Sequence, residues 1–343
     1  MAPKYRGNSD DWWDDENSRT GNVRSSPNKK KKKSTGESFV PFEKANAIVT
    51  EVFPNQCRAR MLVTGEEMLC KYRRAQVFGD KKERSPVAVG DRALVERVGT
   101  NDGVISARAE RRNSLARPAP DRDEEAHVIA ANLDCLAIVC SVVHPDFSPG
   151  LVDRFLVAAH ANQIQPIIVV NKIDQLRPAQ WKGYLDVGYH LYEVSAKDGL
   201  GLSQFLKEIE GKTVAFCGHS GVGKTSLLNA MLTSSERKVG SVSGVTGKGR
   251  HTTTSAILLQ GPNGSSWIDT PGVREFGLFG IGTADLCNYF PEFKVAGCDH
   301  DNCRHWDEEG CEVKKGADSE YWRYPSYRRI YQSLLEDEAA EGR

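Results

Sequence analysis

The rhythm of apolar and polar positions changes three times along this chain. Residues 1–38 are rich in Asp, Asn, Ser, Gly and Lys and have little to bury, so they read as a disordered basic tail. Trp12 and Trp13 interrupt it, as a docking element or as exposed tail residues. From about Lys44 short β-like runs follow, at 47–53, 57–63, 68–72, 92–98 and 104–107. Turn residues separate them (Pro54-Asn55, Thr64-Gly65, Val89-Gly90-Asp91 and Asn101-Asp102-Gly103). Five short strands in such a span predict a small barrel, with the OB-fold as the candidate, over residues 39–112.

Residues 113–126 read as a polar linker with two prolines. Beyond them apolar runs at 136–141, 166–170, 189–194, 213–217, 256–259 and 267–269 alternate with helical stretches. That alternation predicts an α/β domain over 113–276 with a mostly parallel sheet covered on both faces. After about Phe276 the chain turns irregular and rich in Cys, His and aromatics, which predicts a small third domain over 277–343.

Composition narrows this picture only locally. The chain has 343 residues, 46 basic and 46 acidic, so net charge favours no partner. Residues 44–112, however, carry 14 Lys/Arg against 9 Asp/Glu. A basic barrel with Arg73, Arg74, Lys81, Lys82 and Arg84 near its middle loop suits RNA, and equally a solvated basic face. No apolar run approaches the ~18 residues of a membrane span. The polar N-terminus resembles no secretory signal, so the nine cysteines are expected to be reduced and the protein cytoplasmic.

Chemistry enters with Gly218, His219, Ser220, Gly221, Val222, Gly223, Lys224 and Thr225, which fit G-x-x-x-x-G-K-[ST] between an apolar strand and a helical run beginning at Ser226. That strand–loop–helix setting is what a phosphate-binding loop requires. Its glycines turn backbone N–H groups toward phosphates and the helix N-terminus adds a favourable field. Lys224 is expected on the β- and γ-phosphates and the Thr225 hydroxyl on magnesium. Asp269-Thr270-Pro271-Gly272 ends a strand downstream, with Asp269 suited to magnesium and the Gly272 N–H to the γ-phosphate. Between them the glycine-rich stretch 240–254 ends in Arg250-His251-Thr252-Thr253-Thr254 and suits a first switch segment, with Thr253 as the magnesium ligand, or an ordinary surface loop.

Asn171-Lys172-Ile173-Asp174 follows another apolar strand and fits N-K-x-D. A carboxylate there accepts two hydrogen bonds from guanine N1–H and its exocyclic amine. Adenine offers neither and would leave the buried charge unpaired. Ser195-Ala196-Lys197, at the next strand end, matches the loop that backs the base. The order is unusual, because the base motifs precede the phosphate loop. Ligand sites still converge, since they lie at the carboxyl ends of parallel strands whatever the chain order. The fold class is therefore α/β, a circularly permuted P-loop GTPase domain flanked by an N-terminal OB-fold β-barrel and a small C-terminal zinc domain.

The zinc expectation rests on Cys298, Cys303, His305 and Cys311, a C-x4-C-x-H-x5-C set suited to one closed tetrahedral structural ion. His300 competes as a ligand, and Cys287 lies further off. The residues between are too polar to fold by apolar burial alone. Beyond them Tyr321, Trp322, Tyr324, Tyr327 and Tyr331 interleave with Arg323, Arg328 and Arg329, suiting either RNA stacking or a helix packed on the metal module.

Taken with Val89-Gly90-Asp91 in the barrel and Arg274-Glu275-Phe276-Gly277-Leu278 after the second switch, this succession resembles the RsgA (YjeQ/YloQ) family of bacterial small ribosomal subunit biogenesis GTPases, over about residues 40–335. The resemblance implies late maturation of the small (30S) subunit, rRNA binding, and GTP hydrolysis stimulated by the subunit, as a checkpoint releasing assembly factors. It implies that Asn171, Lys172 and Asp174 read guanine, that 218–226 hold the phosphates of GTP or GDP, and that the Cys3His set binds zinc. A monomer and no membrane partner are expected.

Many GTPases orient the attacking water with a Gln after D-x-x-G. Val273 stands there, so His251 is the candidate catalytic residue beside Lys224, the other reading being a loop residue or RNA contact. His219 reads as a spectator within the loop. A metabolic kinase has no use for N-K-x-D, and a purely structural RNA-binding protein leaves the phosphate loop unexplained. A GTPase acting on another structured RNA, or in translation, is the remaining alternative.

Overall fold

Alternation with a period of two builds the N-terminal barrel. In the computed structural model, which describes residues 39–72, 86–119, 122–175, 181–239, 256–270, 278 and 280–341, strands β2 (Ala47–Phe53), β3 (Gln56–Met61), β4 (Glu67–Tyr72), β5 (Arg92–Arg97) and β6 (Asp102–Ala109) lie close to the five expected runs, and a two-residue strand β1 (Phe39–Val40), not among them, pairs with β6. β2 pairs β3, β3 pairs β4, β4 pairs β6 in parallel, β6 pairs β5, and β5 returns to β2. Five strands thus close on themselves, and closure removes the exposed edges. Ala47, Val49, Cys57, Ala59, Met68, Cys70, Val95 and Ile105 fill the interior. Burial pushes the Cys70 thiol up to about 11, so it packs as a small apolar group. None of the nine cysteines is in a disulfide.

Val89-Gly90-Asp91 forms the seam between barrel and α/β unit. Asp91 is fully buried and accepts from Arg111 Nε and Nη2, both at 2.8 Å, and from the Ala88 N–H at 2.7 Å. The Gly90 carbonyl accepts from Asn132 Nδ2 at 3.0 Å, and Ala131 N–H donates to the Val89 carbonyl. A side chain at Gly90 would collide with the Ala131 carbonyl, so only glycine permits this approach.

The expected linker 113–126 is in fact most of a two-stranded ribbon, β7 (Ser114–Ala119) with β8 (Arg122–Ala131). Leu115, Val128 and Ala130 are buried, and that alternation outweighs the local prolines.

The α/β sheet runs in the order β13 (Ile257–Gln260), β14 (Ser266–Asp269), β12 (Thr213–Cys217), β9 (Cys135–Ser141), β10 (Gln165–Asn171), β11 (His190–Glu193). All neighbours are parallel except β13 with β14. The phosphate-loop strand β12 is central and the base-motif strand β10 two places away. Near-continuous apolar strands split their side chains by parity. Cys135, Ala137, Val139, Ile167, Val169, Val214, Phe216 and Trp267 face one core with α3 (Leu202–Glu208) and α4 (Lys224–Val239). Leu136, Ile138, Ile168, Val170, Ala215 and Ile268 face the other with α1 (Pro149–Ala161) and the short α2 (Gly183–Asp186). β13 also pairs with β2 at Ile257 and Glu51, so barrel and sheet are continuous through the strand that follows residues 240–255.

The C-terminal region adds 3-10 turns at Leu286–Tyr289 and Pro291–Val295, α5 (Glu312–Lys315) and α6 (Tyr324–Glu341). α6 packs on α1. Tyr321, Tyr324, Tyr327 and Tyr331 are buried, and Trp306 stacks on Tyr331 at 4.6 Å. Of the two sequence readings, packing on the metal module is the one observed. Arg323 is buried too, while Arg328 and Arg329 stay exposed.

Candidate functional site: a phosphate-loop cleft and a Cys3His centre

Four strand ends converge at one edge of the sheet. β12 delivers Gly218 and the loop to Lys224, β10 delivers Asn171 to Asp174, β14 ends at Asp269, and Ser195 follows β11. Asn171 joins them. Its buried amide Nδ2 donates to the Val222 carbonyl at 2.9 Å and its Oδ1 accepts from the Ala196 N–H at 3.1 Å. Gly223 has φ +92°, and a Cβ there would press into the Asn171 amide. The loop's glycine and the asparagine are thus shaped to each other.

Lys172 Nζ donates to the Gly221 carbonyl at 2.7 Å and to the Val143 carbonyl at 3.3 Å, with His144 O as a third acceptor. This ties the β9–α1 loop to the same site, a participation the sequence did not disclose; the only cue was that β9 ends beside β10. Ser195 Oγ donates to Asp174 Oδ1 at 2.9 Å and accepts from the Asp198 N–H at 3.1 Å, holding the carboxylate at the cleft. Ile173 is buried, its N–H donating to the Val194 carbonyl at 3.3 Å, and Lys197 is exposed.

On the phosphate side Lys224 Nζ donates to the carbonyls of Gly218, at 2.7 Å, and His219, at 3.1 Å. Burial pulls its ammonium below the ordinary lysine value, and the Asp269 carboxylate opposes that. Burial likewise pushes Asp269 up while Lys224 holds it down. Two partly desolvated opposite charges therefore face a loop of backbone N–H groups at the head of a 16-residue helix, an arrangement suited to polyanions. Thr270 Oγ1 donates to the Phe216 carbonyl at 2.6 Å, fixing the end of β14 against the loop strand. Thr225, Ser226, His219, Ser220 and Gly221 are exposed in the cleft. His251, Thr253 and Gly272 lie outside the described residues, as do Arg73, Arg74, Lys81, Lys82 and Arg84.

The second centre unites Cys298, Cys303, His305 and Cys311, whose ligand atoms all lie within 4.8 Å of one another. His305 Nδ1 is 3.6 Å from Cys298 Sγ and 3.5 Å from Cys311 Sγ. Tetrahedral coordination at ordinary metal–sulfur and metal–nitrogen lengths spaces such atoms roughly 3.6–3.8 Å apart, so the set fits a metal ion. Burial lowers the His305 pKa, which favours the neutral imidazole a metal needs. His300 is exposed and outside the set, and Cys287 lines the same cleft without joining it. The ring of His305 lies 5.3 Å from that of Phe293, which packs on Tyr327 of α6 at 5.2 Å.

No described helix is long and apolar enough to cross a membrane. The model of the RsgA GTPase family matches residues 108–279. The small ribosomal subunit biogenesis GTPase RsgA of Shewanella oneidensis is 42% identical over 250 residues, covering 69% of this chain and 70% of that one. Its namesake in Vibrio cholerae is 36% identical over 343 residues, covering 93% and 86%. Among solved structures, YjeQ from Thermotoga maritima matches with a TM-score of 0.65 at 30% identity, covering 84% of this chain and 98% of that one. YloQ, a circularly permuted GTPase, matches at 0.63 and 26%, covering 85% and 95%. A central phosphate-loop strand, base motifs placed before it in the chain, and relatives aligned across barrel and cleft together establish that this chain belongs to the RsgA GTPase family.

Proposed function

We propose that this protein hydrolyses GTP in the late maturation of the small ribosomal subunit, binding rRNA and turning over when the subunit stimulates it. The observation that carries the GTPase reading is Asn171, hydrogen-bonded at once to the phosphate loop and to the Ser195-Ala196-Lys197 loop, which makes three motifs one pocket. The Shewanella and Vibrio relatives, both small ribosomal subunit biogenesis GTPases by name, support the ribosomal assignment.

In this reading Asp174, steadied by Ser195, accepts from guanine, and Asn171, Lys172 and Ile173 hold its loop while Ala196 and Lys197 back the base. Residues 218–226 wrap the phosphates, with Lys224 moving from its own loop carbonyls onto the β- and γ-oxygens. Magnesium, when bound with GTP, neutralises charge developing on the phosphates, and Thr225, Thr253 and Asp269 are the residues to hold it. The Gly272 N–H senses the γ-phosphate, and His251 orients the attacking water where Val273 cannot. The Cys3His set holds one structural zinc ion.

We further assign residues 1–38 as a basic tail, 39–112 as the RNA-binding barrel, 113–276 as the GTPase domain and 277–343 as the zinc domain. The protein acts as a cytoplasmic monomer. The test is GTP turnover alone and with small subunits, large subunits or free rRNA. Stimulation by small subunits only is expected; equal stimulation by all three would remove the small subunit as trigger.

A further inference from the structure

The outer wall of the barrel carries a second charged feature, distinct from the middle loop singled out in the sequence. Ile48 of β2 is in register with Arg60 of β3 on one side and Arg92 of β5 on the other. Cross-strand partners point to the same face of a sheet. Ile48 itself packs into the core shared with the α/β unit rather than the barrel interior, so this face is the barrel's outside, beside the seam. Phe42, in the short turn Phe42–Lys44, lies under two guanidiniums, with Arg92 Cζ 5.3 Å and Arg112 Cζ 5.4 Å from its ring centre.

Two like charges thus share one ring, and Arg60 adds a third beside Arg92. Burial, with the nearby Arg112 and Arg60 charges, holds Arg92 below the ordinary arginine value. Two carboxylates face the group. Asp134 sits 3.3 Å from Arg112 Nη2, and Glu67, across from Arg60 on β4, already accepts from Thr50 Oγ1 at 3.0 Å. The group keeps an excess of positive charge. The Arg112 side chain is 54% exposed, so the cluster opens to solvent. Packing alone gives no reason to concentrate like charges at a seam. A guanidinium over an aromatic ring is attracted to the ring face rather than neutralised by it, and its planar fork matches phosphate oxygens.

The geometry points to Arg92 and Arg112 on Phe42, with Arg60 on the same face beside them, as a binding site for the phosphodiester backbone of folded RNA at the junction of barrel and GTPase unit. This deepens the ribosomal reading above and rests on it. Backbone contacts position a protein on its RNA without reading sequence, and each neutralised phosphate adds to the salt dependence of binding. Contacts at this seam would set the orientation of the GTPase unit on the particle.

Binding of the full chain to small subunits, measured from about 50 to 200 mM salt, tests the site through Arg60→Gln, Arg92→Gln and the double variant. The double variant should bind about tenfold or more weakly, with the slope of log affinity against log salt shallower by about 1 to 2. Arg92→Lys should keep the wild-type slope, and GTP turnover without subunits should be unchanged in all variants. Wild-type affinity and slope in the glutamine variants would overturn the site. So would weaker binding at unchanged slope, which marks structural damage, or inorganic phosphate bound by the wild type while the variants bind subunits normally. Wild-type protein that binds neither subunits nor free rRNA would overturn the ribosomal reading and this site with it.

Discussion

Arg323 Nε lies 2.8 Å from Asp153 Oδ1, with both side chains fully excluded from solvent and 170 positions apart in the chain. Arg323 Nη1 also reaches both oxygens of Glu292, at 2.9 and 3.0 Å, and the guanidinium lies 4.6 Å from the ring of Phe290. Tyr184 donates to the same Asp153 oxygen at 2.9 Å and meets Trp322 edge-on at 4.9 Å. Asp153 and Tyr184 belong to the α/β unit, whereas Glu292, Trp322 and Arg323 belong to the C-terminal region. A buried ion pair therefore joins the helix after β9 to the segment carrying the Cys3His group.

Removing one partner of such a pair leaves a charge in a low-dielectric interior. Arg323→Met should cost ~3 kcal/mol of stability, because Asp153 and Glu292 are then buried without their cation. Adding Asp153→Leu should restore much of the loss, since an apolar pair of similar volume is often no worse than the ions. Urea unfolding of the single and double variants measures both. Equal loss in the two would mean that packing around Phe290 and Tyr184, rather than charge, holds the regions together.

The Asn171 bridge makes a separate demand on nucleotide binding. Asn171→Ala removes two hydrogen bonds and leaves the Val222 carbonyl and Ala196 N–H unpaired. At ~1–1.5 kcal/mol each, affinity for GDP and GTP should fall about 30- to 150-fold. Titration with a fluorescent guanine nucleotide reads this directly. A change below threefold would show that the pocket keeps its shape without the bridge.

These two relationships mark the limits of what was legible in the sequence. Strands were readable because each carries its own period and its own turns, and β2, β10, β12 and β14 fall within a residue or two of the expected runs. The motifs were readable because phosphate and guanine chemistry demand fixed residues at fixed spacing. The β7–β8 ribbon was hidden because Pro118 and the surrounding charges mask the alternation of Leu115, Val128 and Ala130. Arg323 was hidden for another reason. Nothing local distinguishes it from exposed Arg328 and Arg329, and its partner Asp153 is fixed only by the fold. Lys172's grip on the β9–α1 loop was likewise a property of neighbouring strands.

Metal removal should act locally. His305 and Phe293 seat the aromatic face of α6, so chelation or Cys303→Ser should loosen residues 296–316 and the start of α6, raising their hydrogen exchange. The nucleotide cleft lies at strand ends that contain none of the four ligands, so GDP affinity should stay within about threefold, or ~0.7 kcal/mol. Loss of tight GDP binding on chelation would show instead that the metal centre supports the cleft.

The last expectation concerns catalysis. His251 lies in the segment that leads into β13, and β13 pairs with barrel strand β2 at Ile257 and Glu51. If the proposed RNA-binding role of the barrel holds, this one strand is the physical route by which the subunit would fix a water-orienting imidazole at His251. His251→Ala should lower subunit-stimulated turnover about 100-fold or more, in the range general acid–base groups contribute, while leaving GTP affinity and the slow unstimulated rate close to wild type. Stimulated turnover and nucleotide affinity must be measured on the same preparation, because a fall in both would indicate a damaged loop. A variant that keeps full stimulated turnover at unchanged affinity removes His251 from the mechanism and moves the search for the water-orienting group to the RNA or to a protein of the subunit.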